Sequence, residues 1–156
     1  MCLPALDLLA GAGCPLALVG KPWATALFEA YGWPVVAPRG SWIERIDALR
    51  VARIAQRAEQ AIVFTNSIGS ALEFRLAGFA CAGYATEARR WLLARAIAVP
   101  EAWSRDMHTV EYYFELARRF ANVDARVPER LSLRLTPAAQ ARARALLATA
   151  GVDGPY

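Results

Sequence analysis

Asn66, Ser67 and Ser70 follow directly on the apolar run Ile62-Val63-Phe64, in the pattern N-S-x-x-S. In the first turn of a helix that follows a strand, their side chains and the free backbone N–H groups suit a phosphate, a carboxylate or sugar hydroxyls. The same residues also serve as simple helix caps. His108 is the only histidine. Near a helix start, after Ser104-Arg105-Asp106, it fits either ligand contact and acid–base work or a partly buried, hydrogen-bonded ring. Arg39, Arg75, Arg89 and Arg90 fall in or near loops that follow strands. Planar guanidinium groups placed there would form an anion-binding rim, and a solvated basic face fits the same residues.

Other chemistries lack their residues. Gly11-Ala-Gly13 has Leu16 where a dinucleotide fingerprint needs its third glycine, and it precedes a strand instead of following one. The phosphate-loop pattern G-x-x-x-x-G-K-[ST] and the nucleophile elbow G-x-S-x-G do not occur. One histidine and three cysteines (Cys2, Cys14 and Cys81), with no C-x-x-C pair, make no zinc site. The thiols read as reduced and buried or partly buried. No metal or resident cofactor is expected from this pattern.

The elements that would position these side chains alternate along the chain. A helix is expected from Leu3 to Ala12, a strand from Leu16 to Val19, and a helix opened by Pro22 and stopped by Gly32. Trp23, Ala26, Leu27 and Ala30 form its apolar face. A strand from Pro34 to Ala37 leads to Ser41, which with Glu44 makes a capping box. The helix it starts turns Ile43, Ile46, Leu49, Ala52 and Ile54 inward. Ala61 to Tyr84 then reads strand, polar turn, helix, Gly78, strand: one βαβ unit, whose ligand end is the turn after the first strand. A short helix (Arg89–Ala94), a strand (Ala96–Val99) and a helix starting at Asp106 or Thr109 follow. Val110, Tyr113, Phe114, Ala117 and Phe120 form the stripe of that helix. Residues 126–135 read as a linker with a short strand, and Pro137 opens a last Ala/Arg-rich helix. Strand–helix alternation throughout predicts an α/β fold with a mainly parallel sheet.

Bulk composition agrees. The 156 residues suffice for one domain, and 56% hydrophobic with 21% charged residues suits strands buried on both faces. The net charge is +4, and only one of the 18 basic residues is lysine. Such a balance favours anionic partners: phosphates, acidic sugars or an anionic membrane surface. No nucleic-acid-binding motif accompanies it, so nucleic acid is not an expected partner. The longest early apolar stretch, Leu8 to Gly20, is too short for the ~18–20 residues of a membrane span and lacks the basic start of a signal peptide. A cytoplasmic protein is expected.

Several segments, in order, resemble a known family. They are L-P-A-L at Leu3–Leu6, G-K-P-W at Gly20–Trp23, N-S-x-x-S-A-L at Asn66–Leu72, Ala77-Gly78 with Gly83-Tyr84, and H-T-V-E-Y-Y at His108–Tyr113. Their order and spacing resemble the N-terminal half of the ADP-heptose:lipopolysaccharide heptosyltransferases, glycosyltransferase family 9. The resemblance implies a Rossmann-like domain, one of two in a GT-B fold, that receives the anionic inner-core sugar on lipid A. The partner domain would bind the donor substrate, ADP-heptose, and a carboxylate would act as base with no metal. It also implies work at the inner face of the inner membrane, as a cytoplasmic protein in peripheral contact with an anionic surface. Asn66, Ser67, Ser70, Arg39, Arg89, Arg90 and His108 become the expected acceptor-side contacts.

Two departures qualify it. In the family a first strand and a glycine-aspartate loop carrying the base precede L-P-A-L, and here Met1-Cys2 precedes it. After Gly154-Pro155-Tyr156 the sugar-nucleotide domain would begin. The expectation is a fragment: residues 1–125 as an acceptor-side domain lacking its first strand, and 126–156 as linker and helix toward an absent domain, inactive alone. Strands Leu16–Val19 and Ala61–Phe64 would then either pair directly or leave an exposed, aggregation-prone slot. The alternative is a stand-alone, non-catalytic α/β module for anionic sugars or phosphates.

Overall fold

The computed structural model describes residues 1–104 and 106–152. Arg105 and the chain end at 153–156, both used in the sequence reading, lie outside the described residues. Helices α1 (Leu3–Gly11), α2 (Trp23–Leu27), α3 (Trp42–Ala55), α4 (Ile68–Leu76), α5 (Thr109–Ala121) and α6 (Pro137–Thr149) are interleaved with strands. The strands are β1 (Leu18–Val19), β2 (Val35–Val36), β3 (Gln60–Ile62), β4 (Ala80–Tyr84) and β5 (Arg95–Ile97). Every pairing is parallel: β1 with β2 in one sheet, and β3-β4-β5 in another. The chain is thus mixed α/β, with short parallel sheets and flanking helices.

β1 and β3 do not pair with each other, and no described strand joins them. Their free edges follow from strand geometry. The Val63 N–H donates to the Ala82 carbonyl, so the backbone groups of Ile62 and Phe64 turn to the opposite edge. The Leu18 and Gly20 N–H groups donate to the carbonyls of Pro34 and Val36, which turns those of Val19 outward. Direct pairing therefore does not hold, and Leu16, Ile62 and Phe64 are half-buried beside the unpaired edges. β1 and β2 are shorter than their apolar runs. Pro34 and Pro38 bracket β2, and proline has no N–H to extend a ladder.

Local chemistry sets the helix starts. Ser41 and Glu44 form the expected box, the Ser41 N–H donating to Glu44 Oε2 at 2.6 Å. Ser67 caps α4, and Thr136 caps α6 ahead of Pro137. The expected helix after Pro22 breaks in two: α2 ends at Leu27 and a 3-10 turn, Glu29–Tyr31, closes at Gly32 with φ of 68°. A second 3-10 turn, Glu87–Leu92, takes the place of the short helix expected at 89–94.

Burial is uneven. Ile46, Leu49, Val63, Ala71, Ala77, Phe79 and Cys81 form one cluster between α3, α4 and the sheet. Tyr84, Ile97, Tyr112 and Leu116 form a second under α5. α1 packs along α5 through Ala5, Leu9 and Ala117, and Leu16, Ile62 and Phe64 border that contact together. Ile43 and Ile54, expected inward, are exposed: α3 covers its neighbours with the narrow face of Ile46 and Leu49 alone. The described residues of 126–135 contain no strand, because Leu131, Leu133 and Leu135 stay exposed with no ladder beside them. α6 buries no residue. No described helix is long and apolar enough to cross a membrane.

Candidate functional site

In a parallel sheet all the turns after the strands lie at one end. The carboxyl end of the three-stranded sheet therefore collects residues 64–67 after β3, 85–92 after β4, and 98–104 with 106–108 after β5. Asn66, Ser67, Ser70, Arg89, Arg90 and His108 all belong to this end. Arg39 does not: it is exposed in the turn after β2, on the other sheet. Arg75 is exposed in the last turn of α4, away from that helix's N-terminus.

Ser67 is the N-cap of α4, and its Oγ accepts from the Ser70 N–H at 3.4 Å. That contact accounts for Ser67 and places Ser70 in the first turn. Asn66 is exposed, and its carboxamide meets the Tyr112 hydroxyl, Nδ2 at 3.0 Å and Oδ1 at 3.2 Å. Tyr112 itself is buried, stacked against Trp103 at 3.8 Å between centroids and tilted against Tyr84 at 4.3 Å. Burial raises its phenol above the ordinary tyrosine range, and the Asn66 hydrogen bond partly offsets this. Asn66 thus presents its amide from a rigid aromatic base.

His108 caps α5. Its Nδ1 accepts from the Val110 N–H at 3.2 Å, while Glu111 Oε2 accepts from the His108 N–H at 3.2 Å. That contact occupies Nδ1 and leaves Nε2 as the nitrogen open to a ligand. His108 is the N-cap of α5, four residues before Tyr112, whose hydroxyl meets Asn66.

Arg89 departs from expectation. Placed by sequence on a solvent-facing rim, it is fully buried. Its guanidinium donates to the carbonyls of Thr65 and Val63, the second at 3.2 Å. Room for it exists because residue 83 is glycine: a β-carbon there would overlap the guanidinium. Burial pushes its pKa below the ordinary arginine value, against the opposing influence of Tyr112 and Cys81. Arg89 pins the end of β3 and positions the Asn66 turn; it offers no charge to a ligand. The neighbouring Arg90 is exposed, its guanidinium 5.6 Å from the Trp91 ring centroid.

The structure thus brings Asn66, Ser67, Ser70, Arg90 and His108 to one end, with Arg89 beneath them and Arg39 apart. Sequence reasoning passed over Tyr112, which holds Asn66. Its signal was the i, i+4 spacing from His108, hidden because Tyr113 fitted the apolar stripe equally well. Among the described residues no three His, Cys, Asp or Glu side chains cluster as metal ligands would. An open depression of about 420 Å³ lies at the far end of α5, lined by Arg118, Arg119, Asn122, Val123 and Asp124. Glu115 binds both of those arginines, Arg118 at 2.6 Å and Arg119 at 2.5 Å, so little free cationic charge faces it. No protein-family model, curated protein or solved structure matches the chain.

Proposed function

We propose that the chain is the acceptor-side wall of a glycosyltransferase of the lipopolysaccharide heptosyltransferase type, Rossmann-like and without its central first strand. In this reading the complete enzyme moves heptose from ADP-heptose to the anionic inner core on lipid A, at the cytoplasmic face of the membrane. This chain contributes acceptor binding. Asn66 and His108 Nε2 hydrogen-bond sugar hydroxyls or carboxylate, the first turn of α4 supplies N–H groups, and Arg90 supplies positive charge. None of the chain's carboxylates is assigned the role of base.

The observation that carries the proposal is the strand order. Two parallel ladders, β2-β1 and β3-β4-β5, run outward from two open edges, and Leu16, Ile62 and Phe64 share one cluster at the junction. A doubly wound sheet places its ligand crevice at the carboxyl ends of strands where the order reverses, and Asn66 follows the strand at that reversal.

Titration calorimetry with the purified chain tests it. A deacylated lipid A–inner-core oligosaccharide should bind, and ADP-heptose alone should not. Asn66→Ala should weaken the oligosaccharide by about tenfold. If ADP-heptose binds and the oligosaccharide does not, the acceptor assignment fails. Binding of simple sugar phosphates as tightly as the oligosaccharide would favour the stand-alone anionic-ligand module.

A further inference from the structure

The five tryptophans are not scattered. Trp23 opens α2 after β1, Trp42 opens α3 after β2, Trp91 lies in the 3-10 turn after β4, and Trp103 in the turn after β5. Only Trp33 precedes its strand, and it packs on Tyr31 with centroids 4.6 Å apart. Trp103 is taken up by Tyr112. The three that remain are the exposed ones: Trp91 at 81%, Trp23 at 64% and Trp42 at 43%. Each therefore sits at the carboxyl end of a parallel sheet: Trp91 at the end that holds the candidate contacts, Trp23 and Trp42 at that of the two-stranded sheet.

One exposed indole has a cation against it, and the other two have an exposed cation close by in sequence. Arg90 lies over Trp91, Lys21 is two residues before Trp23, and Arg39 three residues before Trp42. The Trp91 turn is held from both sides, by buried Arg89 before it and by Leu93 in the core after it. Trp91 thus points outward from an anchored backbone, not from a loose loop.

We propose that these aromatic–cation pairs are stacking subsites for anionic sugars: the indole takes the apolar C–H face of the ring, and the adjacent cation takes its phosphate or carboxylate. Trp presents a large flat surface with little conformational freedom to lose, and a guanidinium or ammonium beside it selects charged rings over neutral ones. The subsites rest on the glycosyltransferase reading above and extend it from one turn to three, including Arg39, which stood apart from the site.

Indole resonances of the full chain in ¹H–¹⁵N spectra, assigned with single Trp→Phe variants, test the proposal against four probes. These are mannose 6-phosphate, mannose, inorganic phosphate and phosphatidylglycerol vesicles. Mannose 6-phosphate should move the Trp91, Trp23 and Trp42 signals and leave Trp33 in place, with mannose and phosphate each about tenfold weaker. Trp91→Ala and Arg90→Gln should each weaken binding at that turn by a similar factor. Phosphate acting as well as the sugar phosphate would overturn the stacking subsites in favour of a bare basic patch. Vesicles acting where the sugar phosphate does not would overturn them in favour of a membrane-facing edge. Shifts at the Asn66 and Ser67 amides without indole shifts would remove the subsites and leave the acceptor wall standing. Silence at both would remove the subsites, and the acceptor wall would stand or fall with the oligosaccharide titration.

Discussion

β1-β2 and β3-β4-β5 are built on one plan, parallel ladders crossed by helices, yet they bury very different amounts of chain. In the three-stranded half, α3, α4 and α5 each bring a buried face to the sheet, and two clusters result. In the two-stranded half Ala24 is the only buried residue between positions 12 and 45. Its aromatic residues, Phe28, Tyr31 and Trp33, pack mainly on one another, with Arg134 over Tyr31 at 5.1 Å. Strand pairing alone does not make a core. The helices decide it, and α2 is five residues long where α3 is fourteen.

Truncation should expose that contrast most strongly. Leu49→Ala should cost about 3 kcal/mol in urea unfolding, because Leu49 is fully enclosed. Leu18→Ala, in half-buried β1, should cost about 1 kcal/mol or less. Equal costs would mean that the two halves share one core after all. Arg89→Met keeps the bulk and removes the donors to Val63 and Thr65, so about 2 kcal/mol should be lost, with faster amide exchange around Asn66. Unchanged exchange there would contradict its positioning role.

Amide exchange also ranks the strands. Val63, bonded to Ala82, should exchange slowest, and Leu18, bonded to Pro34 in the thin ladder, faster. The edge-facing Ile62 and Val19 should exchange fastest, and protection of Ile62 matching that of Val63 would show its edge to be covered. Ser67→Ala should cost about 1 kcal/mol through the lost cap, read from the thermal midpoint.

Acid gives the smallest effect. The Arg118 hydrogen bond, with help from Arg119, holds Glu115 below the ordinary glutamate pKa. A depressed carboxylate contributes stability above its unfolded pKa of about 4.3 and loses it as pH falls through the lower folded value. Glu115→Gln should therefore flatten the acid limb of stability below about pH 4.5, and an unaltered limb would show that the bridge is idle.

Much of this was legible in the sequence because local chemistry fixed it. The Ser41–Glu44 box, the Ser67 cap and the α5 start at Thr109 need only neighbours a few residues away. What escaped depends on distant partners. Ile43 and Ile54 carry the same periodicity as Ile46 and Leu49, and only the arrival of α4 on one side decides which are covered. Arg89 looked like any exposed arginine, since nothing in its own turn announces the space left above Gly83. At the candidate site the polar turn was readable, but Tyr112, forty-six positions from Asn66, was not.

Gly83 and Arg89 in fact act as one unit across six positions of chain. A side chain at 83 displaces the guanidinium, and an arginine lost from 89 leaves a void that a small side chain at 83 would partly fill, its β-carbon tight against the Val63 carbonyl at 3.1 Å. Among diverging copies of this chain, changes at the two positions should therefore arrive together. In a library randomised at both, functional clones should pair glycine with arginine, or a small side chain at 83 with a residue smaller than arginine at 89.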